Sequence, residues 1–168
     1  MEDLLTLEAL ETEAAQTLSK CRAAGFRVTT AESCTGGLIA GSLTEVAGSS
    51  DVIGRGFVTY SNEAKHEMLG VSMETLERFG AVSEETVLEM TAGALLAAGP
   101  DADIAIAVSG VAGPGGGSAD KPVGTVWLCV EKRGEQAKSE KQFFLGDRRS
   151  IRLATVRRAL ELVRDVAI

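Results

Sequence analysis

Residues 28–37, VTTAESCTGG, constrain the fold of this chain more than any other stretch. Val28, Thr29 and Thr30 are β-branched and suit a pleated, half-buried backbone. Gly36 and Gly37 carry no Cβ, so another group can approach the main chain closely there. Leu38, Ile39, Leu43 and Val46 then follow at helical spacing, with Ser42 among them. The stretch therefore predicts a strand, a turn bearing hydroxyls, a thiol and a carboxylate, and a helix opened by two glycines. Such a turn exposes a side chain and aims backbone N–H groups at one spot, which suits a nucleophile and an anion. A tight turn with a polar cap fits the same residues equally well.

The rest of the chain repeats the alternation. Leu4, Leu7, Leu10, Ala14, Leu18 and Cys21 lie three or four residues apart, predicting an amphipathic helix over 3–22 with an acidic outer face. Gly25 stops it, and a first strand follows at about 26–31. The helix after the paired glycines ends near Ala47-Gly48-Ser49-Ser50. Gly54 to Tyr60 reads as a second strand. A short helix capped by Ser61 or Asn62 runs to Leu69 and closes at Gly70. Ser72 to Phe79 is a smaller helical piece ended by Gly80. Ser83-Glu84-Glu85 opens a longer helix, whose inner face is Val87, Met90, Ala94, Leu95 and Ala98. Residues 103–109, 123–130 and 138–145 read as strands, the last two as a hairpin. A final helix from about Asp147 turns Leu153, Val156, Leu160 and Val163 inward. This pattern predicts a single α/β domain over 1–168, a three-layer α/β/α sandwich on a mixed, mostly parallel sheet.

Composition excludes several functions. With 24 acidic and 17 basic residues the net charge is −7, which argues against nucleic acid as the main partner. A small anionic ligand held by a few local cations is not excluded. Three scattered cysteines and one histidine argue against a metal centre or a disulfide framework, and they fit a reducing cytoplasm. The acidic N-terminus lacks the pattern of a signal peptide, and no apolar run has the length of a membrane span.

A few residues could carry chemistry. Ser33 needs a base to become a nucleophile. His66, the only histidine, sits beside Lys65 on a helix and points elsewhere, which leaves Lys65 if its amine is neutral. Reaching a pKa of about 7.4 from about 10.4 costs roughly 4 kcal/mol, which an enclosed pocket could supply. Taken alone, a lysine is more often a solvated surface group. Tyr60, the only tyrosine, falls at a predicted strand end, where α/β folds collect sites. Cys34 is a rival nucleophile, since a thiol at a helix N-terminus would have a lowered pKa, or equally small core filler like Cys21 and Cys129. Ser109 to Gly117, SGVAGPGGG, follows a buried strand; its glycines, among them Gly110, Gly113 and Gly116, can cradle a phosphate or carboxylate. Arg148 opens the last helix with Arg152 one turn on, and arginine forks suit the same anions. Arg157, Arg158 and Arg164 read as solvated.

Taken together, TAESCTGG, GFVTYSNEAK, GAVSEE, SGVAGPGGG, KPVGTVW and GDRRSIR resemble, in order and spacing, the CinA C-terminal domain family, over about residues 5–165. Some members carry an additional N-terminal domain that this sequence lacks. The resemblance implies hydrolysis of the carboxamide of nicotinamide mononucleotide to nicotinate mononucleotide and ammonia. It further implies Ser33 as nucleophile, Lys65 as base, Tyr60 as a proton-relay or orienting group, and Arg148 and the Ser109 loop as substrate contacts. No metal or organic cofactor is implied, and a homodimer or higher homo-oligomer is. Backbone N–H groups near Thr35 and Gly36 would hold the oxyanion. A non-catalytic nucleotide-binding or competence-related module, or an amidohydrolase with another substrate, would use the same pocket.

Overall fold

A computed structural model describes residues 6–168. Leu4, the first member of the predicted N-terminal stripe, lies outside the described residues. Six helices and five strands follow in the order α1 (Leu7–Ala24), β1 (Val28–Glu32), α2 (Leu38–Glu45), β2 (Ile53–Val58), α3 (Asn62–Leu69), α4 (Met73–Phe79), α5 (Glu84–Ala98), β3 (Ile104–Gly110), β4 (Thr125–Lys132), β5 (Lys138–Phe143) and α6 (Arg148–Val166). Short 3-10 turns occupy Ser49–Asp51 and Gly99–Asp101. The ends are set by the expected chemistry. Ser61 and Ser83 accept from the amides of Ala64 and Thr86, and Gly25 and Gly70 close α1 and α3 with φ of 76° and 69°.

The sheet order is β2-β1-β3-β4-β5. β1 pairs in parallel with both β2 and β3, while β4 pairs antiparallel with β3 and β5. Four strands thus run one way, and β4 alone is reversed. The chain leaves β1 towards β2 and leaves β3 towards β4, in opposite directions across the sheet. A crevice therefore opens between the carboxyl ends of β1 and β3, where open α/β sheets bind ligands.

Helices cover both faces. Alternation along β3 separates the two cores, because successive side chains of a strand point to opposite faces. Ile104, Ile106 and Val108 pack with α1, α2 and α6. Ala105 and Ala107 face Val87, Met90 and Ala94 of α5, with Leu69 and Leu76 beyond. Small side chains on that second face let α5 lie close to the sheet. Gly93 does the same for α3: a Cβ there would collide with the Leu69 carbonyl. Gly93→Ala is therefore expected to cost about 2 kcal/mol by overpacking, read as a lower denaturation midpoint; an unchanged midpoint would show that α3 shifts freely.

Two expectations about the helices fail. Leu7, expected inward, is 52% exposed, since it opens α1 and no described residue covers that first turn. Arg158 and Arg164 are not simply solvated. Arg158 donates to both Glu140 and Glu161, and Arg164 to Glu13 and Thr17, tying α6 to β5 and α1. Among the described residues, no helix is long and apolar enough to cross a membrane.

Candidate active site

Ser33 is the first residue after β1, and its N–H donates to Val108 of β3 at 3.1 Å. The pairing of β1 with β2 extends past the strand ends, since Thr59 N–H donates to the Glu32 carbonyl at 2.8 Å. Tyr60 and Ser61 follow at once, so α3 starts beside the mouth of β1. The alternation of β1 sends Glu32 towards α2 and Ser33 towards the face that holds α3.

Lys65, in α3, turns back into this corner. Its Nζ lies 2.9 Å from Ser33 Oγ and 2.7 Å from the Thr59 carbonyl, with the Tyr60 carbonyl at 3.4 Å. The residue is 0% exposed. No carboxylate pairs with it among the described residues. Burial without a counter-charge disfavours the ammonium form and brings its pKa from 10.5 down to about 8. His66, on the next position of α3, is directed elsewhere: its Nδ1 lies 2.8 Å from the Val71 carbonyl.

Cys34 is buried, and burial pushes its thiol up to about 11 rather than down. The lowered pKa expected at a helix N-terminus fails because α2 does not begin until Leu38, and the thiol packs into the core.

Ser33 opens into a cavity of about 290 Å³. Ser109, Gly110, Gly113, Gly116, Tyr60 and Arg148 line it, as the sequence placed them, and Ala81 and Val82 add a wall. Arg148 spans the cavity: one nitrogen donates to the Gly113 carbonyl at 2.7 Å, another to the Tyr60 hydroxyl at 3.1 Å. The Tyr60 hydroxyl thus meets Arg148, and it is the main-chain carbonyl of Tyr60 that reaches the amine. A larger hollow of about 380 Å³ lies between α1 and α2. It is lined by leucines and the carboxylates Glu8, Glu11 and Glu45, and its one hydroxyl, Ser42, donates to the Leu38 carbonyl, so the smaller cavity is the candidate site.

Thr35 and Gly36 need correcting as contacts. Neither lines the cavity. The Thr35 hydroxyl is buried and donates to Glu32 Oε1 at 2.6 Å, and the Gly36 N–H is committed to the Ser33 carbonyl at 3.0 Å. The N–H groups of Cys34 and Thr35, in contrast, donate to no backbone carbonyl among the described residues. Of this turn, Cys34 is the cavity-lining residue whose amide has no backbone partner among the described residues.

Three groups escape a reading by residue type. The Thr59 carbonyl is main chain and carries no sequence signal. Glu32, 0% exposed, accepts from Thr35 and from the amides of Ile39 and Ala40 at 2.8 and 3.0 Å. It caps α2 in place of Gly37, which has no side chain to do so. A carboxylate inside an otherwise uncharged strand was the available signal, since a buried charge needs partners. Arg152 does not line the cavity and, among the described residues, pairs with no carboxylate. It donates to the carbonyls of Cys34 and Thr35 at 3.0 and 3.1 Å.

The family model for the CinA C-terminal domain matches residues 10–167. A relative from Enterobacter agglomerans, named nicotinamide-nucleotide amidohydrolase PncC, is 60% identical over 132 residues, 79% of each chain. Its namesake in Escherichia coli K12 is 52% identical over 140 residues, 83% of this chain and 84% of the relative. The crystal structure of competence/damage inducible protein CihA from Agrobacterium tumefaciens superposes with a TM-score of 0.87 at 53% identity, covering 91% of this chain and 92% of that one. Motif order, sheet topology and near-complete matches converge, and the chain belongs to the CinA C-terminal domain family.

Proposed function

We propose that this protein hydrolyses the carboxamide of nicotinamide mononucleotide to nicotinate mononucleotide and ammonia, with Ser33 as nucleophile and Lys65 as base. The names of the relatives from Enterobacter agglomerans and Escherichia coli support the substrate. The observation that carries the mechanism is the buried Lys65 amine, without a carboxylate partner, 2.9 Å from Ser33 Oγ.

A neutral amine has two hydrogens and one lone pair. The Thr59 and Tyr60 carbonyls take the hydrogens, and the lone pair faces the Ser33 hydroxyl. Lys65 takes the proton as Ser33 Oγ bonds to the amide carbon, and the carbonyl electrons move onto oxygen. The N–H of Cys34, which lines the cavity and has no carbonyl partner among the described residues, receives that oxyanion. Collapse breaks the C–N bond while Lys65 returns the proton to nitrogen, releasing ammonia. Water then gives its proton to Lys65, bonds to the acyl carbon and displaces Ser33, which regains a hydrogen. Arg148 and the amides of the Gly113–Gly116 loop bind the phosphate, with Tyr60 orienting Arg148.

The test is ammonia release by the purified protein from nicotinamide mononucleotide, nicotinamide riboside and other amides. Turnover of the nucleotide should exceed that of the riboside about a hundredfold, the worth of a charge-assisted phosphate contact of roughly 3 kcal/mol. No ammonia from the nucleotide by a folded protein would favour the second reading, a nucleotide-binding or competence-related module. The name of the solved Agrobacterium relative supports that reading. A pure binder, however, has no use for a serine held against a buried lysine whose pKa is lowered to about 8. We also infer a cytoplasmic homo-oligomer. Three free cysteines and the exposed apolar Val58, Met68 and Leu145 support it, and light scattering tests the assembly.

A further inference from the structure

We propose that Arg152 is a positioning residue that holds the nucleophile turn, and so sets the direction of the Cys34 amide at the oxyanion site, from outside the cavity. This rests on the serine-hydrolase reading above. A trans peptide is planar, so its C=O and N–H point in opposite directions. The Cys34 carbonyl is turned to Arg152 Nε at 3.0 Å. The N–H of Thr35 belongs to the same peptide and is thereby turned away from the guanidinium. The next peptide obeys the same rule. The Thr35 carbonyl accepts from Arg152 Nη2 at 3.1 Å, and the Gly36 N–H donates to the Ser33 carbonyl at 3.0 Å, which turns the Cys34 N–H, in the same peptide as that carbonyl, the opposite way. One fork thus fixes two consecutive peptide planes, and bidentate geometry resists their rotation in a way that a single bond would not.

The opposite side of the turn is held independently. Glu32 takes the Thr35 hydroxyl and the first amides of α2, so the turn cannot swing away from Arg152. Gly36 suits this turn through its backbone: its φ is 59°, a conformation that residues with a Cβ rarely adopt. A loop that had only to connect a strand to a helix would need neither hold. Arg152 comes from the last helix, 118 residues beyond Cys34, so the contact ties α6 directly to the nucleophile turn. Arg152 also lies one helical turn from Arg148, so α6 serves the site twice: Arg148 faces the substrate cavity, and Arg152 holds the chemistry in register.

The test compares wild type with Arg152→Met, which keeps the stem and removes the fork, and Arg152→Lys, which keeps one donor. Two readouts are used. In steady-state turnover of nicotinamide mononucleotide, Arg152→Met should lose kcat by roughly 10- to 100-fold with KM nearly unchanged, somewhat less than the loss of an oxyanion donor outright. Arg152→Lys should fall between. Added methylguanidinium should restore part of the Arg152→Met rate. The second readout is labelling by a small alkyl fluorophosphonate. Ser33 Oγ bonds to phosphorus, fluoride leaves, and the serine proton passes to Lys65. Labelling in Arg152→Met should slow by a similar factor. A raised KM with unchanged kcat would make Arg152 a substrate contact and overturn the proposal. Equal kcat and equal labelling rates in wild type and Arg152→Met would overturn it too. Wild type that neither labels nor turns over the nucleotide overturns the serine-hydrolase reading itself, and the purpose of the fork with it. Wild type that labels but leaves the nucleotide intact overturns the substrate, while the labelling ratio still decides the role of Arg152.

Discussion

Ser33→Ala is expected to abolish ammonia release from nicotinamide mononucleotide, with kcat falling at least about ten-thousandfold, the scale on which hydrolases lose activity with their nucleophile. The fold should survive. Ser33 is held in place by its main chain, through the N–H to Val108 and the carbonyl to Gly36, and neither bond involves the side chain. Removal of the hydroxyl leaves Lys65 its two carbonyl partners. The denaturation midpoint should therefore stay near that of wild type. Cys34→Ala is the control. Burial keeps its thiol protonated, and only its main-chain N–H is enlisted, so turnover should persist. Loss of activity in Cys34→Ala with activity kept in Ser33→Ala would reverse the assignment of the nucleophile.

The second large effect is at Lys65. Lys65→Arg should be as inactive as Lys65→Met, because a guanidinium stays charged and offers no lone pair. An active arginine variant would refute the base. In wild type, kcat/KM should rise with pH through a midpoint near 8, as the amine loses its proton. The same group makes stability depend on pH, with a definite sign. Its folded pKa, about 8, lies below its unfolded value of 10.5. Between those values the unfolded chain binds a proton that the folded protein does not, so stability rises with pH across that window. Below about 8 both states carry the proton, and the full burial penalty is present. The drop from 10.5 to about 8 corresponds to about 3 kcal/mol. Lys65→Met has no such titration. The stability of the variant relative to wild type should therefore fall by about that amount as pH is raised from 7.5 to 10.5, as followed by urea unfolding. A constant difference across that range would show that the amine is not desolvated.

Much of the fold was legible along the chain, because its signals are local. Caps at Ser61 and Ser83, glycine stops at Gly25 and Gly70, and the run of Ile104 to Val108 each act within a few residues. The candidates Ser33, Lys65, Tyr60, Arg148 and the Ser109 loop were legible as residue types that suit the chemistry, and all of them meet at one corner. Groups whose role depends on a distant partner were not legible. Arg152 reads as another anion fork until α6 lies against residues 34 and 35. Arg158 and Arg164 read as solvated until β5 and α1 are beside them. The thiol of Cys34 reads as activated until its neighbours bury it.

By itself the sequence determined the elements, their ends and the family, since helix periodicity, strand alternation and capping are written in neighbouring residues. Only the tertiary structure decided the strand order, the 2.9 Å approach of Lys65 to Ser33, and which amides were left free. The reason is solvation and distance. An amine loses its charge, and a peptide plane its freedom, only when remote segments close over them and exclude water, and no run of adjacent residues encodes that enclosure.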